Sequence, residues 1–177
     1  MVDKRYILIQ RSKRLAFLLR HDRDYPFDEH GWRSVDDLMI NHGYSMEELC
    51  EIVETNNKQR YEFSADKTKI RARQGHSVPV DVELTETVPP DTLYHGTAEA
   101  TLNVIMANGI QKMSRLYVHL SPTKEIATNV GKRHGKPVVL EIDSKSMWAD
   151  GYRFYHSRNG VWLTEFVDAK YIKNKKM

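Results

Sequence analysis

Cysteine is almost absent from the sequence, which contains Cys50 alone. A single thiol excludes an intrachain disulfide framework and every zinc site that needs paired thiolates. Long apolar runs are missing as well: the run at residues 15–19 is far too short to cross a bilayer, and the N-terminus has no apolar signal-peptide core. We therefore expect a cytoplasmic protein with no membrane partner.

The chain also lacks a strong charge of either sign, because 27 Lys and Arg against 24 Asp and Glu leave a net charge of only +3. A surface that binds a polyanion must then come from local clusters. One cluster has six basic residues and one acid within residues 1–20, and His21 extends it. A second lies at Lys67, Lys69, Arg71 and Arg73. For either cluster alone, a solvated surface is the simpler interpretation.

Several motifs of nucleotide and metal enzymes are missing. There is no G-x-G-x-x-G and no P-loop, since the glycine-rich run at residues 131–136 ends in Pro137 where a P-loop needs a hydroxyl for magnesium. The eight histidines form no H-E-x-x-H motif, and no carboxylate pair has the spacing of a glycosidase. Rossmann, kinase, glycosidase and metal chemistry are therefore disfavoured, and we expect no metal ligands.

The N-terminal half has the element order of a winged-helix module. Apolar residues at helical spacing predict a helix over residues 12–20, and Ser34 and Ser45 are predicted caps of two more helices. Alternating residues on either side of a turn at 64–67 predict a β-hairpin. A winged helix presents a polar surface to nucleic acid, although fold alone does not fix function.

The proline-rich segment 78–90 is a predicted linker, so we expect two domains, residues 1–88 and 89–177. In the second domain we predict a strand at 92–94, a loop at His95-Gly96-Thr97 and a helix over 98–107. Further elements are predicted as strands at 116–120, 137–142, 152–155, 161–163 and 169–172, and as a helix over 126–130. The predicted fold class is α+β, with an α/β second lobe.

The remaining candidates for a functional site are mainly arginine, histidine and hydroxyl side chains. They are Arg20-His21, Arg71, His95-Gly96-Thr97, His119-Leu120-Ser121 and Arg133-His134. Arginine is permanently charged and its planar guanidinium matches phosphate oxygens in pairs. Each piece alone is typical of an ordinary surface, but together they fit a phosphate-binding site.

These residues fall in blocks that resemble the RNA 2′-phosphotransferase family. The blocks, in chain order, are Leu18-Leu19-Arg20-His21, Gly31-Trp32, Ile70-Arg71-Ala72-Arg73-Gln74-Gly75-His76-Ser77, Leu93-Tyr94-His95-Gly96-Thr97, Val118-His119-Leu120-Ser121, Val130-Gly131-Lys132-Arg133-His134-Gly135-Lys136-Pro137 and Asn159-Gly160-Val161-Trp162-Leu163-Thr164. Two departures are visible. Arg73 stands where the family often has a smaller or uncharged residue, and Asp168-Ala169 replaces the usual prolines.

The resemblance implies an N-terminal winged-helix RNA lobe, a C-terminal lobe similar to ADP-ribosyltransferases, and NAD and a 2′-phosphorylated RNA as substrates that meet in the cleft. It also implies a reaction in two steps. The RNA 2′-phosphate first displaces nicotinamide from NAD, and the neighbouring ribose hydroxyl of the RNA-2′-phospho-ADP-ribose intermediate then releases RNA and ADP-ribose 1″,2″-cyclic phosphate. Nothing in the sequence indicates a subunit interface, so we expect a monomer.

Carried over position by position, the family's catalytic set falls on Arg20, His21, Arg71 and Arg133. The first step mainly requires that the phosphate dianion is held in line with the carbon that it attacks. The side chains of Arg20, Arg71 and His21 suit this role. Arg133, with Arg71, is expected to stabilise the charge of the second step. His21 is expected to protonate the departing RNA 2′-oxygen.

The resemblance also implies a set of NAD-binding residues. They are His95, Gly96, Thr97, His119, Ser121 and Phe154. Glycine in the His95-Gly96-Thr97 loop would let the backbone approach the ligand. The alternatives stay open: that loop is equally an ordinary turn, and Phe154 is equally a core aromatic.

Two other functions compete with this one. An ADP-ribosyltransferase that acts on a protein or a nucleic-acid end would stop after the first step and would not need Arg20, His21 and Arg71. A winged-helix regulator would bind duplex DNA in a salt-dependent way and would release no nicotinamide.

Overall fold

A computed structural model describes residues 3–173 of the chain. The chain divides into two compact units, Met1–Glu83 and Leu84–Met177. The segment predicted as a linker, residues 78–90, is therefore shared between the two units. None of the helices within residues 3–173 is both long and apolar enough to span a membrane.

The first unit packs three helices against a small antiparallel sheet. Its elements are α1 (Lys4–Arg20), β1 (Arg33–Ser34), α2 (Val35–His42), α3 (Met46–Thr55), β2 (Tyr61–Phe63) and β3 (Lys69–Ala72). The strand order is β1-β3-β2, and the core combines Leu15, Leu18 and Leu19 of α1 with Leu49 and Ile52 of α3. The element order agrees with the winged-helix prediction, which stays a prediction.

The start of α1 was predicted wrongly at residue 12, because the chain becomes helical at Lys4. Asp3 begins the helix: its carboxylate accepts a hydrogen bond from the backbone N–H of Arg5 at 3.0 Å. The added turns carry the exposed side chains of Tyr6, Ile7 and Ile9, which form no buried stripe. A search for apolar periodicity therefore misses them.

The predicted caps of α2 and α3 are confirmed. The hydroxyl of Ser34 accepts from the N–H of Asp37 at 3.2 Å, and that of Ser45 accepts from the N–H of Glu48 at 3.1 Å. Glu48 itself pairs with Arg11 of α1, with Nε to Oε1 at 2.6 Å. The acidic residue that completes the predicted capping pattern thus joins two helices.

Up to residue 173, the second unit contains three small antiparallel sheets and three short α-helices. Its strands are β4 (Leu93–Ala98), β5 (Ile110–Gln111), β6 (Val118–Leu120), β7 (Pro137–Ile142), β8 (Tyr155–His156), β9 (Trp162–Thr164), β10 (Phe166–Val167) and β11 (Ile172–Lys173), and its helices are α4 (Leu102–Asn108), α5 (Lys124–Gly131) and α6 (Ser144–Ala149). The sheet orders are β11-β7-β4, β6-β9-β8 and β10-β5. With the first unit, this confirms the α+β class.

The predicted loop at His95-Gly96-Thr97 is wrong, because these residues lie within β4. Strand β4 pairs with β7 along its whole length, with Gly96 opposite Val139. The sequence indicated a turn at position 96 because glycine is disfavoured in the interior of a strand. Helix α6 was not predicted, and residues 169–171 form a 3-10 turn before β11 rather than a strand.

Candidate anion-binding sites

Arg71 lies in β3 with its guanidinium buried, 5% exposed, in a network of acceptors. Its Nε donates to Glu62 Oε1 at 2.8 Å, and its Nη1 donates to Glu83 Oε2 at 2.9 Å and to the carbonyl of His30 at 3.3 Å. Sheet register explains the first bond, since Glu62 on β2 lies opposite Arg71. The side chain also packs over the ring of Trp32, 4.3 Å from its centroid. Arg71 is therefore held in one orientation before any ligand binds.

Two other cations of the hairpin also have carboxylate partners. Arg73 Nε lies 3.2 Å from Glu62 Oε2, and Lys69 Nζ lies 3.2 Å from Asp28 Oδ2. Three of the four cations in the second predicted basic cluster, Lys69, Arg71 and Arg73, are thus paired with carboxylates. The residue that departs from the family pattern, Arg73, shares its carboxylate partner with Arg71.

Arg20 and His21 end helix α1 and contact the segment that follows β3. Gly75, with φ +90°, packs against the guanidinium of Arg20: a Cβ there would lie 3.4 Å from Cζ. The carbonyl of Arg20 accepts from the N–H of Ser77 at 3.0 Å, and His21 Nδ1 lies 2.9 Å from Ser77 Oγ. Residues 75–77 thus contact the backbone and guanidinium of Arg20 and the ring of His21.

His76, between these two contacts, is only 1% exposed, and its Nε2 has no hydrogen-bond partner among residues 3–173. Burial, followed by the surrounding positive charge, lowers the pKa of His76 to about 3. The charges come from Arg20, Arg33, His21 and Arg71. The structure therefore gathers three predicted catalytic residues of this unit around one uncharged imidazole. His76 lies in one of the blocks that resemble the family, but the sequence assigned it no role.

The lowered pKa of His76 makes a prediction about stability. The unfolded chain has an ordinary imidazole that takes up a proton below about pH 6.5, whereas the folded pKa is about 3. Protons then bind the unfolded state better, so the free energy of unfolding should fall as the pH drops from about 6.5 towards 3, by up to about 1.4 kcal/mol per pH unit from this group.

Urea unfolding of the parent protein and of His76→Gln between pH 7 and pH 4 measures this contribution. The variant should show a shallower fall in the free energy of unfolding, whatever its stability at pH 7. Equal slopes in the two proteins would contradict the assignment.

A second cluster lies in the second unit, where a chain of hydrogen bonds joins two predicted histidines. His95 Nδ1 lies 3.2 Å from the carbonyl of His119, and Arg115 Nη1 lies 3.1 Å from His119 Nδ1. A carbonyl only accepts and a guanidinium only donates, so His95 carries its proton on Nδ1 and His119 has a lone pair there. Burial is the main cause that lowers the pKa of His95, which keeps it uncharged.

Arg115 lies within electrostatic range of Arg133. Burial lowers the pKa of Arg115, and the charge of Arg133 lowers it further. Neither guanidinium has a carboxylate partner within residues 3–173. Guanidiniums without carboxylate partners favour an anion such as a phosphate group. Arg115 was not predicted as a site residue, since it stands alone before a strand with no motif around it.

Other predicted cofactor residues have structural partners. Gly96 lies under α5, where an added Cβ would be 1.7 Å from the carbonyl oxygen of Ala127. Packing against α5 is therefore sufficient to require glycine at this position, and its approach to a ligand stays a prediction. Thr97 Oγ1 lies 2.7 Å from Thr101 Oγ1.

The last two predicted cofactor residues are also buried. The backbone of Ser121 exchanges two hydrogen bonds with that of Tyr94, at 2.7 and 2.9 Å. Phe154 is fully buried in the apolar core of the unit. The geometry at Phe154 favours the alternative of a core aromatic over stacking on a ligand.

Each unit thus carries a cluster of arginine and histidine side chains, and arginine is a residue type that suits the binding of phosphate groups. A family model described as RNA 2′-phosphotransferase, Tpt1/KptA family, matches residues 7–166. The chain belongs to this family.

Similar proteins cover nearly the same length. One from Fusobacterium nucleatum is 49% identical over 168 residues, which span 90% of this chain and 94% of the relative. One from Hahella chejuensis is 44% identical, over 97% and 95% of the two chains, and one from Streptomyces coelicolor is 45% identical, over 92% of each. All three are named probable RNA 2′-phosphotransferases.

Proposed function

We propose that the protein is an NAD-dependent RNA 2′-phosphotransferase, which removes an internal 2′-phosphate from RNA such as a spliced tRNA. Family membership supports the reaction type. The grouping of Arg20, His21 and Arg71 around His76 supports the assignment of the reaction to particular residues. Those three side chains are the part of the expected catalytic set that lies in the first unit.

In the first step, an oxygen of the RNA 2′-phosphate attacks the anomeric carbon of the nicotinamide ribose. The bond from that carbon to nitrogen breaks, and the nitrogen keeps the electron pair, so nicotinamide leaves as a neutral molecule. The product is RNA-2′-phospho-ADP-ribose. The step needs little proton transfer and depends on holding the phosphate in line.

In the second step, the ribose 2″-hydroxyl attacks phosphorus and loses its proton. The bond from phosphorus to the RNA 2′-oxygen breaks, and that oxygen gains a proton. The products are RNA with a 2′-hydroxyl and ADP-ribose 1″,2″-cyclic phosphate. Positive groups directed at the phosphorane oxygens lower the barrier.

In the first unit, Arg20 and Arg71 would bind the phosphate dianion, and His21 would give the proton to the departing 2′-oxygen. Arg71 already has a fixed Nε through Glu62, while its contact with Glu83 is to a largely exposed carboxylate that phosphate can replace. The site therefore combines an anchored guanidinium with an exchangeable partner.

In the second unit, Arg133 would stabilise the charge of the second step, and Arg115 joins it as a phosphate ligand. NAD suits these residues because guanidiniums bind the negative charge of its pyrophosphate. His95 and His119 are half-buried polar side chains of the cluster, with tautomers set by their hydrogen bonds. Gly96, Thr97 and Ser121 shape the strand ends beside them.

The variant Arg71→Ala distinguishes this function from transfer of ADP-ribose to a protein or a nucleic-acid end. We expect it to lose about 100-fold or more in removal of the 2′-phosphate, the effect of deleting one preorganised donor. Arg73 remains as a partner of Glu62 in the variant. Thermal unfolding checks that the variant is folded.

The control is Arg153→Ala, which removes an exposed arginine paired with exposed Glu86. It should act like the parent protein. If Arg71→Ala still consumed NAD at the parent rate and left ADP-ribose on its target, the transferase alternative would hold instead.

A further inference from the structure

Ser77 contacts the histidine that the proposed reaction uses as an acid. Ser77 Oγ lies 2.9 Å from His21 Nδ1, a good distance for a hydrogen bond. His21 is the C-cap of α1, and its side chain is exposed. Within this contact, the hydroxyl engages Nδ1, one of the two ring nitrogens.

The place of Ser77 does not depend on its hydroxyl. Its backbone N–H and that of Val78 donate to the carbonyl of Arg20, at 3.0 and 3.4 Å. That carbonyl lies in the last turn of α1, where no helical N–H reaches it, so these bonds satisfy it. The main chain thus brings Ser77 Oγ to His21, and a variant without the hydroxyl keeps both backbone bonds.

We propose that Ser77 is a positioning residue that accepts a hydrogen bond from Nδ1–H of His21 and so makes Nε2 the atom that gives the proton. The proposal rests on the proposed function, in which His21 protonates the departing RNA 2′-oxygen. As the bond from phosphorus to that oxygen breaks, the proton on Nε2 moves to the oxygen and the imidazolium becomes neutral. Nδ1 keeps its proton throughout, so Ser77 accepts in both states.

A hydroxyl suits this place better than the carboxylate that often orients a catalytic histidine. A carboxylate there would bind the imidazolium strongly and would also attract Arg20, whose guanidinium packs on neighbouring Gly75. A neutral acceptor orients the ring and leaves the guanidinium for phosphate. It also adds no negative charge where the RNA phosphate must bind.

Single-turnover kinetics with a 2′-phosphorylated RNA and NAD test the role of Ser77, because nicotinamide release reports the first step and decay of the intermediate reports the second. For Ser77→Ala we expect release within about threefold of the parent and decay slowed by about tenfold or more, part of the usual effect of a general acid. Ser77→Thr keeps a hydroxyl and should restore decay to within about threefold. The control Ser146→Ala removes an exposed hydroxyl in the second unit and should match the parent.

A second readout needs no activity. In ¹⁵N NMR spectra of neutral His21, the parent and Ser77→Thr should have the proton on Nδ1, and Ser77→Ala should shift the tautomer towards Nε2–H. Unchanged decay of the intermediate in Ser77→Ala, equal slowing of both steps, or an unchanged tautomer would overturn the proposal. If the parent released no nicotinamide, the proposed function would fail, and the NMR result would still decide the pairing.

Discussion

Arg133→Ala should stop the reaction between its two steps, so that RNA-2′-phospho-ADP-ribose accumulates. The first step expels a good leaving group and depends on the residues that hold the phosphate. The second step develops charge on a phosphorane, where loss of one preorganised guanidinium costs about 10²–10³ in rate. Gel or mass analysis of the RNA during a single turnover should therefore show a species larger by one ADP-ribose.

The matched control for this prediction is Lys132→Ala, which removes an exposed cation at the preceding position. It should convert RNA to the 2′-hydroxyl product without a lasting intermediate. A uniform loss of RNA binding in Arg133→Ala, with no intermediate, would remove Arg133 from the second step.

Gly96→Ala should have the largest effect on stability, because the added Cβ would lie 1.7 Å from the carbonyl oxygen of Ala127. The obstacle is the backbone of α5, which no rotation of a side chain can relieve. We expect the loss in free energy of unfolding to reach or exceed about 3 kcal/mol, the upper end of ordinary overpacking. Thermal unfolding followed by tryptophan fluorescence measures it, since two of the three tryptophans, Trp148 and Trp162, lie in the second unit.

Gly151→Ala is the control for Gly96→Ala within the same unit. Nothing lies within 4 Å of a Cβ at Gly151, so only its φ of +93° is at issue. That conformation should cost about 1 kcal/mol. A melting temperature for Gly96→Ala within a degree or two of the parent would mean that α5 can move away from β4.

Local signals in the sequence predicted the features that depend on neighbouring residues. Ser34 and Ser45 cap their helices as expected, because a cap needs only a side chain and the next turn. The hairpin of β2 and β3 follows from alternation and a polar turn. The predicted strand over 137–142 is also present, since a β-branched run indicates a buried strand.

Features that depend on distant contacts were missed. Gly96 continues a strand because β7 pairs with it and α5 covers it, and neither neighbour can be seen from the residues on either side. The short helix α6, residues Ser144–Ala149, has too few turns for its apolar pattern to stand out.

The residues of the candidate sites also divide into those that the sequence predicted and those that only the structure revealed. Arg20, His21, Arg71 and Arg133 came from motif resemblance, which needs no contact information. His76 became evident only when its burial among cations was visible.

The most direct test of the account is the mass of an RNA that carries one internal 2′-phosphate, after incubation with the protein with and without NAD. We predict the loss of one phosphate only when NAD is present, together with release of nicotinamide and ADP-ribose 1″,2″-cyclic phosphate. An RNA that gained ADP-ribose and kept it would contradict the second step. An RNA of unchanged mass in both reactions would contradict the proposed function as a whole.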